Sequence, residues 1–368
     1  MNQEDKMRYF KLAIIVLMLI MISCSKPSKT KVAIMTKLDS ASIVGSSEVN
    51  ASRIFLEDNP KSRIDISSFD DKWLPDETIK QYENLKQQGI DIIITSHVST
   101  CIVAIKDRIN TDQVFAMVSG ATTNELSKKN DMIIRNVLDV EKEQIRIAEF
   151  MNESLSKAEN KFDKLLIIRD LENEAYTKPA LEVFLSHYQP KDYQLIDIKM
   201  SGINIRDLQD KLKAMTYNSL YLLIGGYKTN CGSIAQLVAS FKPGLPIMYT
   251  PWMKSPTLLE TAGKTIEHSI IPSHYPAKGQ NQTVDQYVEH YKSKFNTTPT
   301  FISLNVYSAL EIINQAIDNG STKPQQIKDY ILNTKTFKTR FGQIVFDEFG
   351  DVDMPLYFIY DIKEEFLR

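Results

Sequence analysis

Two predicted strands end in short polar segments whose side chains could bind a polar ligand. The apolar run at residues 114–118 breaks at Ser119 and Gly120 into small and hydroxyl residues, and the run at 90–95 ends similarly before residues 96–101. Apolar, β-branched runs are typical of buried parallel strands. Ligands of open α/β sheets lie in the crevice at the carboxyl ends of the strands. We therefore predict that these two strand ends form one wall of a binding site.

The patterns of common catalytic and nucleotide-binding sites are missing from the sequence. It has no GxGxxG or GxxxxGK[ST] motif, so a dinucleotide or ATP site is not indicated. It also lacks the GxSxG motif of a nucleophile elbow. His97 lies in the second polar segment, where it could bind the ligand or hold its own loop. No pattern places Ser, His and Asp in a triad. We therefore expect a binding protein without enzyme activity and without a cofactor.

Composition and cysteine usage narrow the class of protein further. The chain has 368 residues, 43% of them hydrophobic and 24% charged, with a formal net charge of −2, so a nucleic-acid partner is not indicated. That length favours two domains. No CxxC pattern or His/Cys cluster indicates a metal. Cys101 and Cys231 both follow predicted strands, and the sequence leaves open whether they form a disulfide or remain free thiols.

The first 24 residues have the pattern of a lipoprotein signal peptide. Basic residues precede an apolar run at 12–22, which is too short for a transmembrane helix of about 20 residues. A small residue directly before Cys24 resembles the lipobox of bacterial lipoproteins, in which the cysteine is lipidated. A plain secretory signal or an uncleaved anchor is the alternative. Residues 25–30 would form a polar tether between the membrane and a fold that begins at residue 31.

From residue 32 onward, strand and helix patterns alternate. Strands are predicted at residues 32–35, 63–69, 90–95, 114–118, 164–168, 193–198, 219–224 and 246–250. Helices are predicted at residues 46–58, 76–88, 102–109, 141–155, 177–188, 205–214 and 233–240. Asp76 should cap the second helix and Gly89 should end it. Because the rhythm restarts after residue 139, we predict two Rossmann-like, doubly wound parallel-sheet lobes.

The order of several short motifs resembles a known family. They occur at residues 31–34, Gly45 with 50–51, 89–93, 119–126, 134–136 with Gln144, 173–176, 297–300, 306–309 and 342–351. In this order and spacing the chain looks like a type I periplasmic binding protein of the branched-chain amino-acid-binding (Leu/Ile/Val-binding) group. Members of this group are the solute receptors of ABC importers. The resemblance covers nearly all of residues 31–366.

The resemblance implies a division of the chain into two lobes joined by three hinge segments. Lobe 1 would hold residues 31–139 and 276–350, and lobe 2 would hold residues 140–275 and 351–368. A ligand would be enclosed when the two lobes close. The family also implies delivery of the ligand to an ABC permease, and we expect the protein to be a monomer.

The resemblance further implies particular ligand contacts at the two strand ends of lobe 1. In amino-acid-binding members, hydroxyl side chains and backbone groups hold the ligand's carboxylate and ammonium, because a desolvated zwitterion needs oriented donors and acceptors. The matching positions here are Ser99, Thr100, Gly120, Ala121 and Thr122. Capping of the following helix is the alternative role for Ser99 and Thr100.

Two departures from the family put an amino-acid ligand in doubt. Val44 replaces a cleft tyrosine, and Trp252 stands where the acidic residue that meets the ligand's ammonium is expected. With Tyr176 and Tyr227, Trp252 would make the lobe 2 wall aromatic and suited to a flat, apolar or cationic solute. The alternative is that these rings pack in the core of the lobe.

These observations together predict a lipid-anchored, extracytoplasmic solute-binding protein. It would capture an amino acid or an aromatic or amide-like solute for an ABC importer, and it would face the periplasm or the exterior of a bacterial cell. A ligand-sensing or structural lipoprotein that keeps the fold without a transport role is the alternative.

Overall fold

The computed structural model describes residues 29–38, 43–95, 98–155, 162–189, 192–226 and 230–367. Within these ranges no helix combines the length and the apolar character that crossing a membrane requires. In chain order the elements are β1 (Thr30–Thr36), α1 (Ile43–Asp58), β2 (Ile64–Asp70), α2 (Pro75–Gln87), β3 (Ile92–Thr95), α3 (Ser99–Thr111), β4 (Phe115–Val118), β5 (Ile133–Arg135), α4 (Val140–Phe150), β6 (Leu165–Asp170), α5 (Glu174–His187), β7 (Tyr193–Ile198), α6 (Ile205–Ala214), β8 (Ser219–Leu223), α7 (Cys231–Phe241), β9 (Ile247–Met248), α8 (Pro256–Ala262), β10 (Ser269–Ser273), α9 (Gln282–Phe295), α10 (Phe301–Asp318), α11 (Pro324–Thr334), β11 (Thr336–Thr339), β12 (Gly342–Val345), β13 (Tyr357–Ile359) and α12 (Ile362–Leu367).

The first sheet contains five parallel strands in the order β2-β1-β3-β4-β5. Every residue of β3 and β4 is buried, which explains why these strands have unbroken apolar sequences instead of alternating ones. Because α10 packs against α1, the last quarter of the chain returns to this sheet. We use lobe 1 for the part of the protein built on this sheet.

The second sheet has the order β13-β10-β9-β8-β6-β7. Strands β6 to β10 are parallel, and β13 adds an antiparallel edge to β10. We use lobe 2 for the part built on this sheet. The fold class predicted from sequence, two doubly wound α/β lobes, is confirmed.

The chain passes between the two sheets three times. The first passage leads from β5 to α4, the second follows β10, and the third lies between β12 and β13. Strand β12 pairs with β11 in a separate hairpin. The exact lobe boundaries given above stay a prediction.

Two helix starts differ from the sequence-based prediction. Helix α2 begins at Pro75 with Leu74 as its N-cap, so the prediction that Asp76 caps it is wrong. Proline suits the first helical position because its φ is preset and that N–H needs no partner. Helix α3 begins at Ser99 after the N-cap Val98, so neither Ser99 nor Thr100 is the cap.

Gly89 ends α2 as predicted. Its φ of +67° is a left-handed conformation that glycine adopts without steric cost. The N–H of Gly89 donates to Lys86 O at 2.9 Å, and the N–H of Ile90 donates to Leu85 O at 3.1 Å. This pair of bonds is the Schellman arrangement, which satisfies the last carbonyls of the helix and directs the chain into β3.

Candidate functional site

A cavity of about 910 Å³ opens between the two lobes. Its lining residues lie beyond the carboxyl ends of strands, the edge of a parallel sheet at which ligands bind. Those from lobe 1 are Lys37, Lys72, Trp73, Leu74, Pro75, Val98 and Thr100. Those from lobe 2 are Glu172, Asn173, Met200, Ser201, Gly225, Gly226 and Asn230. Both lobes therefore contribute a wall to one candidate binding site.

The segment after β3 reaches this cavity at one of its two predicted contacts. Thr100 lines the cavity, whereas Ser99 is buried and is not part of the lining. Both residues belong to the first turn of α3, whose backbone N–H groups have no intrahelical acceptors. The start of α3 thus contributes a hydroxyl and a helix N-terminus to the lobe 1 wall.

The segment after β4 is buried behind the lining of the cavity. Gly120, Ala121 and Thr122 are all buried, and none of them is among the lining residues. The Oγ1 of Thr122 is shielded from solvent and has no hydrogen-bond partner among the described residues. A buried hydroxyl without a partner is uncommon in folded proteins and requires an explanation.

A buried hydrogen-bond network fixes the start of this segment. The Ser119 hydroxyl donates to Asn136 Oδ1 at 2.8 Å, and Asn136 Nδ2 donates to the carbonyl of Asn305 at 2.7 Å. Asn305 Nδ2 returns a bond to Ser119 O at 2.9 Å, and the Tyr275 hydroxyl donates to Asn305 Oδ1 at 2.9 Å. Since Asn136 and Tyr275 lie in the first and second passages, the network joins the β4 end to both.

Arg135 joins the same segment to the third passage. Its Nη1 donates to the carbonyl of Thr123 at 3.0 Å, and its Nε donates to Asp351 Oδ1 at 2.8 Å. The Arg135 side chain is 1% exposed and that of Asp351 is 7% exposed, so the ion pair is desolvated. Ser127 and the N–H of Lys128 supply further bonds to this pair. The loop after β4 is therefore held to all three passages.

The aromatic residues predicted for the lobe 2 wall lie in the interior. Tyr176 is 1% exposed, and its hydroxyl donates to Glu143 Oε1 at 2.7 Å. Trp252 is 6% exposed and packs between Tyr176 and Phe301, with ring centroids 6.2 and 5.4 Å away. Neither ring is part of the cavity lining. Tyr227 lies outside the described residues.

A buried acid and a buried histidine lie beside this aromatic cluster. Glu143 Oε2 is 3.8 Å from His274 Nε2, and neither atom has a hydrogen-bond partner among the described residues. Burial raises the pKa of Glu143 to about 7, although hydrogen bonds from Tyr176 and Gln144 oppose the rise. Burial lowers the pKa of His274 to about 3, and Lys254 and Arg146 lower it further. His274 is therefore neutral at pH 7, while Glu143 titrates near it.

The other residues that the sequence analysis named are either buried in the fold or lie outside the described residues. Val44 is buried in α1. Cys101 and Cys231 are both buried and are not joined in a disulfide, and burial raises the pKa of Cys101 to about 12. Cys24 and His97 lie outside the described residues. No group of three or more His, Cys, Asp or Glu in the part of the chain that is described could hold a metal ion.

Sequence reasoning missed most of the residues that line the cavity. Lys72 and Trp73 follow β2, Glu172 and Asn173 follow β6, and Asn230 precedes α7. The signal that identified the ends of β3 and β4 was a change from apolar to polar residues after a strand. The same change from apolar to polar residues occurs after β2 and β6. The predicted contacts followed the family resemblance instead and did not include these two strand ends.

Three helices begin at the cavity without side-chain caps. Their N-cap residues are Val98 for α3, Asn173 for α5 and Asn230 for α7, and all three line the cavity. The first-turn N–H groups of a helix carry a partial positive charge, which a capping side chain would partly satisfy. The cavity is thus an environment that favours a negatively charged or hydrogen-bond-accepting group.

The chain is similar in structure to solute-binding proteins of ABC transporters. No family model matches the sequence, and no curated protein matches it. A leucine-binding protein, LivK, from Thermotoga maritima superposes with a TM-score of 0.79 at 18% identity, covering 89% of this chain and 94% of that one. The LivJ substrate-binding protein of Streptococcus pneumoniae, in complex with isoleucine, gives a TM-score of 0.78 at 17% identity, covering 90% and 95%.

A further similar structure has an aromatic acid bound. It is a solute-binding protein from Rhodopseudomonas palustris in complex with 3,4-dihydroxybenzoic acid, with a TM-score of 0.76, 16% identity and coverage of 90% and 92%. At sequence identities of 16–18%, these similarities show the fold alone. The chain has the two-lobed fold of type I periplasmic binding proteins, as the resemblance implied.

Proposed function

We propose that the protein is an extracytoplasmic solute-binding protein that captures a small molecule between its lobes for an ABC importer. The observation that carries this proposal is the cavity of about 910 Å³ whose walls come from both lobes. Its size lies in the range of small-molecule sites, and its lining combines apolar residues with polar and charged ones. Because the described lining residues include no catalytic constellation, we propose binding without chemical conversion.

Closure of the two lobes would enclose the ligand. A Cβ added at Gly226 of lobe 2 would lie 3.3 Å from Val98 Cγ1 of lobe 1, so the two walls already approach each other at one edge of the cavity. A ligand that binds the closed form better than the open form shifts the equilibrium towards closure. An ABC permease would then recognise the closed surface.

Within this proposal, Thr100 and Thr122 are the lobe 1 residues that we expect to contact the ligand. Thr100 already lines the cavity, and the partnerless hydroxyl of Thr122 would gain an acceptor or donor from the ligand. Ser99, Gly120 and Ala121 would contribute backbone groups beside them. Tyr176 would act from behind the wall, since a Cβ on the lining residue Gly225 would lie 2.6 Å from its ring.

The class of solute is proposed from the similar structures together with the cavity. The solute-binding proteins that share the fold include a leucine-binding protein and one in complex with 3,4-dihydroxybenzoic acid. We therefore place the ligand among amino acids and aromatic acids.

Binding is tested with a panel of amino acids, amides, nucleosides and aromatic acids. We expect one class of solute to raise the unfolding temperature of the purified protein, because a ligand that binds only the folded state stabilises it. Native mass spectrometry of the protein as purified would detect a solute retained from the cell. The proposal fails if no compound shifts the unfolding temperature and no co-purified solute is found.

We also propose that the protein is anchored to the bacterial membrane through a lipid on Cys24. The pattern of residues 12–24 supports this anchor, and residues 25–30 would separate it from the fold. Labelling cells with an alkyne-tagged palmitate should mark the wild-type protein and not a Cys24→Ala variant. Equal labelling of both proteins, or labelling of neither, would exclude lipidation at this cysteine.

A further inference from the structure

The turn after β2 carries two residues in an unfavourable backbone conformation at the cavity wall. Lys72 and Trp73 have φ values of +53° and +57°, and both line the cavity. Positive φ is rare for residues other than glycine and is especially unfavourable for a bulky side chain. Such a residue is strained and persists only where the surrounding structure enforces it.

Two aspartates enforce this turn. Asp70 Oδ1 accepts bonds from the N–H groups of Leu38 at 3.0 Å and Lys72 at 3.1 Å. Asp71 is fully buried, and its Oδ1 accepts from the N–H of Trp73 at 3.1 Å. The backbone at Lys72 and Trp73 is therefore fixed before any ligand binds, which lowers the entropic cost of ordering this turn on binding.

The turn presents a cation and an aromatic ring side by side. Lys72 is exposed, and its ammonium forms no ion pair within the described part of the chain. Trp73 is half-buried, and its indole Nε1 is shielded without an acceptor among the described residues. An acidic group next to a planar ring would pair with the Lys72 ammonium while the ring stacks on the indole.

The opposite wall presents a single well-buried acceptor. Asn173 is 6% exposed, it lines the cavity, and its Oδ1 has no hydrogen-bond partner among the described residues. It is also the N-cap of α5, where its side chain makes no capping bond. A hydroxyl or N–H at the far end of the ligand would satisfy this oxygen.

The charges of the lining disfavour a zwitterionic amino acid. Two lysines, Lys37 and Lys72, and one acid, Glu172, line the cavity. Glu172 Oε1 already accepts a bond from the N–H of Ser201 at 2.6 Å. The three uncapped helix N-termini add further positive potential. An ammonium group would therefore meet more repulsion than attraction, whereas an acid would be stabilised.

We propose that the Lys72–Trp73 turn is a specificity element that binds the carboxylate and ring of a planar aromatic acid, while Asn173 accepts a hydrogen bond from its opposite end. This inference rests on the proposed function and defines the class of solute. The sequence left cationic and amino-acid solutes open. The inferred solute is instead an anion that carries no ammonium group.

The test measures the affinity of the purified full chain by calorimetry for 4-hydroxybenzoate, benzamide, L-leucine and L-phenylalanine. We expect 4-hydroxybenzoate to bind most tightly. Lys72→Met should weaken it by about tenfold or more, because a charge-assisted hydrogen bond is lost, and should leave the affinity for neutral benzamide within about twofold of wild type. Asn173→Leu should also weaken 4-hydroxybenzoate, since the acceptor for its hydroxyl group is removed.

The matched control is Lys128→Met. Lys128 is also exposed and has a φ of +57°, but it lies outside the cavity lining, so its replacement should leave the affinity unchanged. The unfolding temperature of each unliganded variant checks its folding. Tighter binding of leucine or phenylalanine, or equal affinity of Lys72→Met and wild type for the acid, overturns the inference and leaves the proposed function standing. Binding of none of the four compounds overturns the inference, and the broad panel then decides the proposed function separately.

Discussion

Single glycine and polar positions control the shape of the lobe 2 wall. A Cβ added at Gly225 would lie 2.6 Å from Tyr176 Cδ1 and 2.8 Å from Asn173 Nδ2. Both neighbours are buried, and the Tyr176 hydroxyl is held by Glu143. The absence of a side chain at Gly225 thus allows Tyr176 to pack directly behind the cavity.

Gly225→Ala should consequently destabilise the protein. We expect a loss of about 1–3 kcal/mol in the free energy of unfolding, because the tyrosine ring must move out of a close-packed site. Chemical denaturation would measure it. Gly202→Ala is the control, since nothing lies within 4 Å of a Cβ there, and it should change stability by less than about 0.5 kcal/mol. Equal effects of the two substitutions would contradict this packing argument.

Glu143 should make stability depend on pH in a defined direction. Its pKa is raised from 4.5 to about 7, so the folded state binds the proton more tightly and stability falls as pH rises through this window. His274 acts oppositely, because its pKa is lowered from 6.5 to about 3 and stability rises with pH between these values.

Replacing Glu143 by Gln removes the loss of stability that Glu143 causes as pH rises. The opposite dependence on pH that His274 causes remains. The variant should gain stability relative to wild type as pH rises from 4.5 to 7, by about 1–3 kcal/mol in order of magnitude. Urea denaturation at several pH values measures this difference. A difference that stays constant with pH would show that Glu143 is not the responsible group.

At the scale of elements, the loop after β4 depends on the buried ion pair between Arg135 and Asp351. Asp351→Asn would leave the guanidinium desolvated without a counter-charge, and we expect a loss of about 3–5 kcal/mol. Asp210→Asn is the control, because Asp210 pairs with Lys213 at the surface, where such pairs contribute less than about 1 kcal/mol. Thermal and chemical unfolding would compare the two. Similar losses in both variants would mean that the buried pair does not anchor this loop.

At the scale of the whole molecule, the lobes should move together when a solute binds. We expect the radius of gyration measured by small-angle X-ray scattering to decrease at saturating solute. Gly226→Val should weaken both compaction and affinity, because Gly226 has a φ of +86° and faces Val98 across the cavity. The unfolding temperature of the unliganded variant reports its folding. An unchanged radius of gyration in wild type with solute bound would argue against closure.

The sequence alone determined the class of the fold. Unbroken apolar runs such as those of β3 and β4 identify strands buried on both faces, and their alternation with helices requires parallel sheets. Gly89 as the end of α2 was predictable because only a residue at ease with positive φ fits there. Strand β5 was missed because three residues are too few to show a period, although it carries Arg135.

Only the tertiary structure decided which residues face the cavity. Thr100 and Trp73 lie 27 positions apart, and Asn173 is 73 positions beyond Thr100, yet all three line one cavity because separate strands end at facing edges of two sheets. The sequence also left open whether Tyr176 and Trp252 bind ligand or pack inside. Their burial against Glu143 and Phe301 depends on helices from distant segments. The residues next to each ring in the sequence therefore do not predict these neighbours.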